Sequence, residues 1–178
     1  MSLKELTQDK HKQAESTLFM KAIFQKSLPF TLWVDWTYQK AIFYNTIETA
    51  ALKNLLLDDL IGLTRAPLLA QDFNENNKEF NNYEIRKSTI DYHHYIKSIE
   101  HDSHKVLAHL YTWHMGDMYG GQAIKKIVPG SHRSLEFDNA RELMMTLRNK
   151  LSDDLAPESN IAFDWAITMM KEYDGHLE

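Results

Sequence analysis

Two groups of residues in this chain have the types and spacing for chemistry. The first is Gly116, Asp117, Gly120 and Gly121, within AHLYTWHMGDMYGGQAIKKI, which runs from Ala108 to Ile127. Leu110, Met115, Met118, Ala123, Ile124 and Ile127 recur there at helical spacing, yet each glycine inside a helix costs roughly 1 kcal/mol relative to alanine. Bare backbone kept for a ligand would explain the loss: Gly116 and Gly120 stand four apart, share one face, and leave room for a flat molecule to lie on the main chain. Asp117 then sits beside that molecule. The same letters also suit a helix that closes at Gly120 and Gly121 and turns, with Asp117 as a surface acid. The second group is His11 and Glu15. At i and i+4 on a helix, the carboxylate reaches one imidazole nitrogen and leaves the other for a metal, an arrangement that fixes the tautomer and raises ligand basicity. A surface pair has the same spacing.

Such spacings need helices, and the chain is patterned for them. Leu3, Leu6, Ala14, Leu18 and Phe19 recur at helical intervals between Ser2, a capping-type residue, and Phe24, predicting one or two amphipathic helices with His11 on the apolar stripe. Lys26 to Pro29 break the pattern. Phe30 to Leu57 is aromatic-rich on several faces, which predicts a helix inside the bundle. Asp58 to Asn82, with Gly62, Pro67 and an Asn-rich run, predicts loops and short helices. Tyr83 to Ile99 is helical again; its Asp91 and His94 make one imperfect half of a di-iron motif. Pro129 and Gly130 stop the glycine-bearing helix. Glu136 to Leu151 forms another, ended by Pro157, and Asn160 to His176 the last, whose Phe163, Trp165, Met169 and Met170 suit either core or the lining of an apolar ligand.

Composition narrows the classes. The 178 residues suit one domain, and four prolines with six glycines are few for a turn-rich sheet protein, so the expected fold is all-α. There is no cysteine, hence no disulfide and no thiolate nucleophile or ligand; nine histidines leave metal binding open. A net charge of −5 argues against nucleic acid as the main partner. No apolar run is long enough to span a bilayer, and the N-terminus lacks a signal-peptide core, so a cytoplasmic, soluble protein with no membrane partner is expected.

Taken together, HKQAESTLFM (His11 to Met20) and the Ala108–Ile127 stretch resemble the proximal-helix segment and distal-helix signature of the heme oxygenase family. LTRAPLLAQDF from Leu63 and LRNKLSDDLAP from Leu147 are weaker matches, and the resemblance covers most of the chain. It implies a single all-helical domain over residues 1–178 that clamps heme b, both cofactor and substrate, between two helices. It further implies opening of heme by O2 and a reductant to biliverdin, at the alpha position, with release of CO and ferrous iron. By the resemblance His11 is the iron ligand and Glu15 its orienting acid. Gly116, Gly120 and Gly121 lie over the distal face, and Asp117 is the catalytic acid by way of an ordered water network. Lys4, Tyr111 and Arg148 match propionate partners, Tyr44 a distal-pocket tyrosine, and Met20 and Phe163 apolar heme contacts.

The sequence departs from the family pattern at Gln8 and Met144, where lysines are common. It departs also at Trp113 for an arginine of the distal network, at His114 for an aromatic, and at Tyr119 for a small serine. No membrane-anchoring tail follows Glu178, which suits a soluble bacterial, plastid or phage type fed with electrons by ferredoxin or another reductase. Lys10, Lys12, Lys125 and Lys126 are the expected docking rim for an acidic donor. A heme carrier that keeps His11 without turnover is the alternative. A thiamin-degrading relative lacks its cysteine here, and a di-iron oxidase has only the one poor half-motif.

Overall fold

Ser2 begins the first helix with a capping box: its hydroxyl accepts from Glu5 N–H while the Glu5 carboxylate accepts from Ser2 N–H at 2.7 Å. In a computed structural model, which describes residues 1–178, this helix is α1, Leu3–Glu15, and α2 is Leu18–Phe24. Thr17 separates them: its hydroxyl donates back to Ala14 O and accepts from Met20 N–H, so it closes one helix and caps the next. Pro29 directly precedes α3, Phe30–Lys53, which is buried on several faces as its aromatic content predicts. It stops short of Leu57 because the chain turns at Asn54 and Leu55 has φ of 57°.

The remaining helices are α4 (Ala66–Asn76), α5 (Lys87–Ile99), α6 (Ser103–Tyr119), α7 (Gly121–Ile127), α8 (Ala140–Arg148) and α9 (Ala156–Lys171). There is no strand. Several boundaries differ from expectation, among them the end of α3, the start of α8 at Ala140 rather than Glu136, and both ends of α9. The glycine-bearing stretch is two helices rather than one, broken at Gly120. The fifth helix starts at Lys87, not Tyr83, because Arg86 is extended at its N-cap. Pro157 does not end α8, which stops at Arg148; it lies in the first turn of α9, where a missing N–H forfeits nothing.

The central α3 packs on α4, α5 and α6, and one connected core runs through Phe19, Trp36, Phe43, Tyr92, Leu110 and Met169. The arrangement that matters for the site is that α9 packs against both α1 and α6, while α1 and α6 have no substantial packing on one another. Both helices therefore lean on α9 without packing on each other. No helix is long and apolar enough to cross a membrane.

Candidate functional site

Along α1 the buried stripe is Leu3, Thr7 and Ala14. His11 belongs to that stripe by spacing, yet its side chain is 49% exposed. A stripe position left open means that no protein element fully covers it, and Phe163 of α9 lies beside it, its ring centre 5.7 Å from that of His11. Glu15 Oε1 lies 3.2 Å from His11 Nε2, which leaves Nδ1 as the nitrogen available to an iron. The i,i+4 pair predicted from sequence is thus formed, and beside a gap.

On α6 the corresponding gap is made by missing side chains. Gly116 and Gly120 are exposed, and a Cβ built on Gly116 would meet nothing within 4 Å; one on Gly120 would meet only the Gly116 carbonyl oxygen at 3.5 Å. The main chain is therefore bare on this face. Gly121 is different, contrary to its expected place over a ligand. It is buried, and its Cβ would stand 2.9 Å from Leu135 Cδ2, so the absent side chain lets α7 close on the turn Arg133–Leu135.

Asp117 is nearly enclosed, with 8% of its side chain exposed. Lys40 Nζ donates to Oδ1 at 2.6 Å and Tyr44 OH to Oδ2 at 2.6 Å. Both donors come from one face of α3, four residues apart, with the ammonium 5.0 Å from the Tyr44 ring centre. Burial pushes the Tyr44 phenol well above its ordinary range and the neighbouring Asp117 charge pushes it further, so the hydroxyl remains a donor. Tyr44 is fully buried behind Asp117 and is not itself a slot-lining residue. It stacks on His114, centres 4.7 Å apart. His114 Nε2 is 2.7 Å from Glu48 Oε2 and its Nδ1 3.0 Å from Leu110 O. Glu48 in turn accepts from the N–H groups of Arg65 and Ala66 at the start of α4. Lys40, Tyr44 and Glu48 thus form one polar stripe on α3 that meets Asp117 and His114 on α6.

A second buried chain braces α6 from the other side. Trp113 Nε1 donates to Tyr92 OH at 2.9 Å, so that hydroxyl gives its own hydrogen to His109 Nδ1 at 2.6 Å, and His109 Nε2–H is left to donate to Glu158 Oε1 at 2.9 Å. Tyr95 donates to the same carboxylate. Burial lowers the His109 pKa despite the Glu158 charge.

The Arg148 guanidinium carbon lies 5.5 Å from the Tyr119 ring centre. The Tyr111 phenol is raised by burial and partly lowered again by the Arg148 charge, which sets Arg148 near both tyrosines of α6. Tyr119 is half exposed and faces this guanidinium. Lys4 is exposed on the first turn of α1, and Met20 packs against the core from α2. Lys10 is ion-paired with Asp164 at 2.7 Å.

The family model for heme oxygenase matches residues 1–148 of the chain. The chain belongs to the heme oxygenase family. Heme oxygenase 2 of Macaca fascicularis is 26% identical over 204 residues, an alignment that takes in 97% of this chain and 64% of that protein, and heme oxygenase 2 of Mus musculus matches to the same extent. The chain thus spans just under two thirds of the length of these relatives. Among solved structures, heme oxygenase-1 of the cyanobacterium Synechocystis, in complex with heme, has a TM-score of 0.84 at 23% identity, covering 98% of this chain and 91% of that one. The heme oxygenase of Leptospira interrogans has a TM-score of 0.81 at 22% identity, covering 97% and 100%. At those identities the likeness is one of fold, and the fold is that of heme oxygenases.

Within this heme oxygenase fold, sequence reasoning missed Lys40, Glu48, His109 and Glu158. A signal for the first two existed: a lysine and a glutamate flank Tyr44 at i−4 and i+4 in a helix otherwise fit for burial, and a charge in such a place needs a partner. For His109 and Glu158 the partners lie 49 residues apart, and no local pattern joins them.

Proposed function

We propose that the slot between α1 and α6 binds heme as substrate and that the protein opens it, with O2 and a reductant, to biliverdin, CO and ferrous iron. The observation that carries this is a pairing of gaps: an exposed imidazole at a stripe position that should be buried, and a stretch of α6 without side chains, with a buried carboxylate next to it. A flat macrocycle fits the face where a Gly116 Cβ meets no atom within 4 Å. Bound heme would supply the iron that activates dioxygen and the ring that is oxidised.

The protein's part is to hold and to exclude. His11 would hold the iron from α1, oriented by Glu15. Gly116 and Gly120 would leave bare main chain for the ring, and Phe163 would pack beside His11. Asp117 orders the water that passes protons to the reacting side. Arg148, held over Tyr119, and the Tyr111 hydroxyl receive the propionates, with Lys4 as a further cation. Lys12, Lys125 and Lys126 offer an acidic electron donor such as ferredoxin a basic rim; Lys10 contributes less because Asp164 already neutralises it.

Titration with hemin followed by reductant tests this. A Soret band that forms on binding and then gives way to biliverdin absorption is expected. Binding with a Soret band unchanged after reduction in air would instead establish a heme carrier.

A further inference from the structure

We infer that Lys40 is the positioning residue that pins Asp117, a role that rests on the heme-opening reading of the slot. Its side chain is 11% exposed, on the most deeply buried helix of the fold, and its ammonium stands 2.6 Å from Asp117 Oδ1. Asp117 is the carboxylate it pairs with. A buried ammonium is expensive to desolvate, and an apolar residue of similar volume is often as good or better for stability, so stability alone does not account for a lysine here.

The geometry gives the charge a task. Ammonium and phenol arrive from successive turns of α3 and take one oxygen of the carboxylate each, which stops the group from rotating. A carboxylate has about four lone-pair directions, and α3 occupies one on each oxygen. The others are left for water or substrate-side donors at the edge of the enclosure. Lys40 keeps further hydrogens of its own. Beside it is a small void of about 10 Å³, lined by Thr37, Asp72, His132 and Ser134 among others, room for about one water. A water there can accept from the ammonium. Tyr44 alone would leave Asp117 free to swing about a single hydrogen bond. Lys40 removes that freedom, and it touches nothing that reacts.

The test compares Lys40→Met and Lys40→Arg with the unaltered protein. Hemin affinity, followed by Soret absorbance, should stay within about threefold in both, since neither residue is in contact with the slot. Biliverdin formed per heme in a single reductive turnover should fall about a hundredfold in Lys40→Met, the scale of misplacing a catalytic group by 1 Å, and should recover at least tenfold of that in Lys40→Arg. In the heme-free protein, 15N spectra of lysine ammonium groups should show one slowly exchanging signal, assigned to Lys40 by its loss in Lys40→Arg and abolished by Asp117→Ala. Full turnover in Lys40→Met overturns the inference, as does a loss of turnover that tracks an equal loss of hemin affinity. The spectrum decides even where Lys40→Met does not fold: a Lys40 ammonium in rapid exchange overturns the pinning of Asp117. Unaltered protein that binds hemin and forms no biliverdin overturns the reading of the slot, whereas a protected, Asp117-dependent ammonium in that sample still supports the pinning.

Discussion

His11 and Asp117 stand out by burial: an imidazole exposed on the one stripe of α1 that is otherwise buried, and a carboxylate buried next to the exposed Gly116. Replacing His11 by Ala should abolish the histidine-ligated spectrum of the hemin complex, and added imidazole should restore it, because the gap next to α1 admits a small base. A histidine-type spectrum persisting in His11→Ala would transfer the ligand role elsewhere. Asp117→Ala should spare hemin binding and lose biliverdin formation. It should also destabilise the protein, since it strands the Lys40 ammonium: about 3–5 kcal/mol for a broken buried pair, or a melting temperature lower by about 10 °C, whereas Asp117→Asn keeps an acceptor and should lose less. Equal melting of the two variants would mean that Lys40 escapes to water. The sequence made His11, Glu15 and Asp117 legible because each sits in a local pattern. Lys40 stayed hidden because its partner is 77 residues away and its neighbours are the aromatics of a core helix.

Helix boundaries were legible at Ser2, a capping side chain, and at Pro29; the break at Thr17, and those where backbone alone decides, were not. Gly120 is an example: with φ −66° and ψ −31° it keeps helical angles while separating α6 from α7. Three glycines that look alike in the sequence fall into two kinds in the structure, and alanine should tell them apart. At Gly116 the new methyl meets no atom, so the heme-free protein should gain about 0.5–1 kcal/mol of helix stability and melt about 2 °C higher. The same methyl stands in the slot, and overpacking of about 1–3 kcal/mol should weaken hemin binding by about tenfold. At Gly121 the methyl meets Leu135 Cδ2 at 2.9 Å, and Leu135 is only 3% exposed with little room to retreat. Gly121→Ala should therefore lose about 1–2 kcal/mol in the heme-free protein, with hemin affinity little changed among the folded molecules. Thermal melts and hemin titrations of the two variants check both signs; a parallel response would remove the distinction between slot wall and packing contact.

Across the whole molecule, α6 is placed by apolar packing on α9 and by the buried His109–Glu158 pair between the same two helices, with Tyr92 and Tyr95 adding α5. This brace titrates. Burial lowers the folded-state pKa of His109, so between that value and about 6.5 the unfolded chain binds a proton that the folded chain does not, and stability falls as pH falls through this window. Burial raises Glu158, but hydrogen bonds from His109 and Tyr95 outweigh it and leave its pKa lowered; its contribution, complete above about pH 4.5, is lost as pH drops through the folded value. Both shifts act in the same direction, and His109 acts first on acidification. The melting temperature should thus decline from pH 7 to pH 5, before most carboxylates of the unfolded chain are protonated. His109→Gln, which cannot charge, should start from a lower plateau because the Tyr92 and Glu158 partners are less well met, and should decline less over the same interval. Melts of both proteins at matched ionic strength measure the difference, in which titrations elsewhere cancel. Equal slopes would show that the brace is neutral to pH and that the acid sensitivity of the fold lies outside α6.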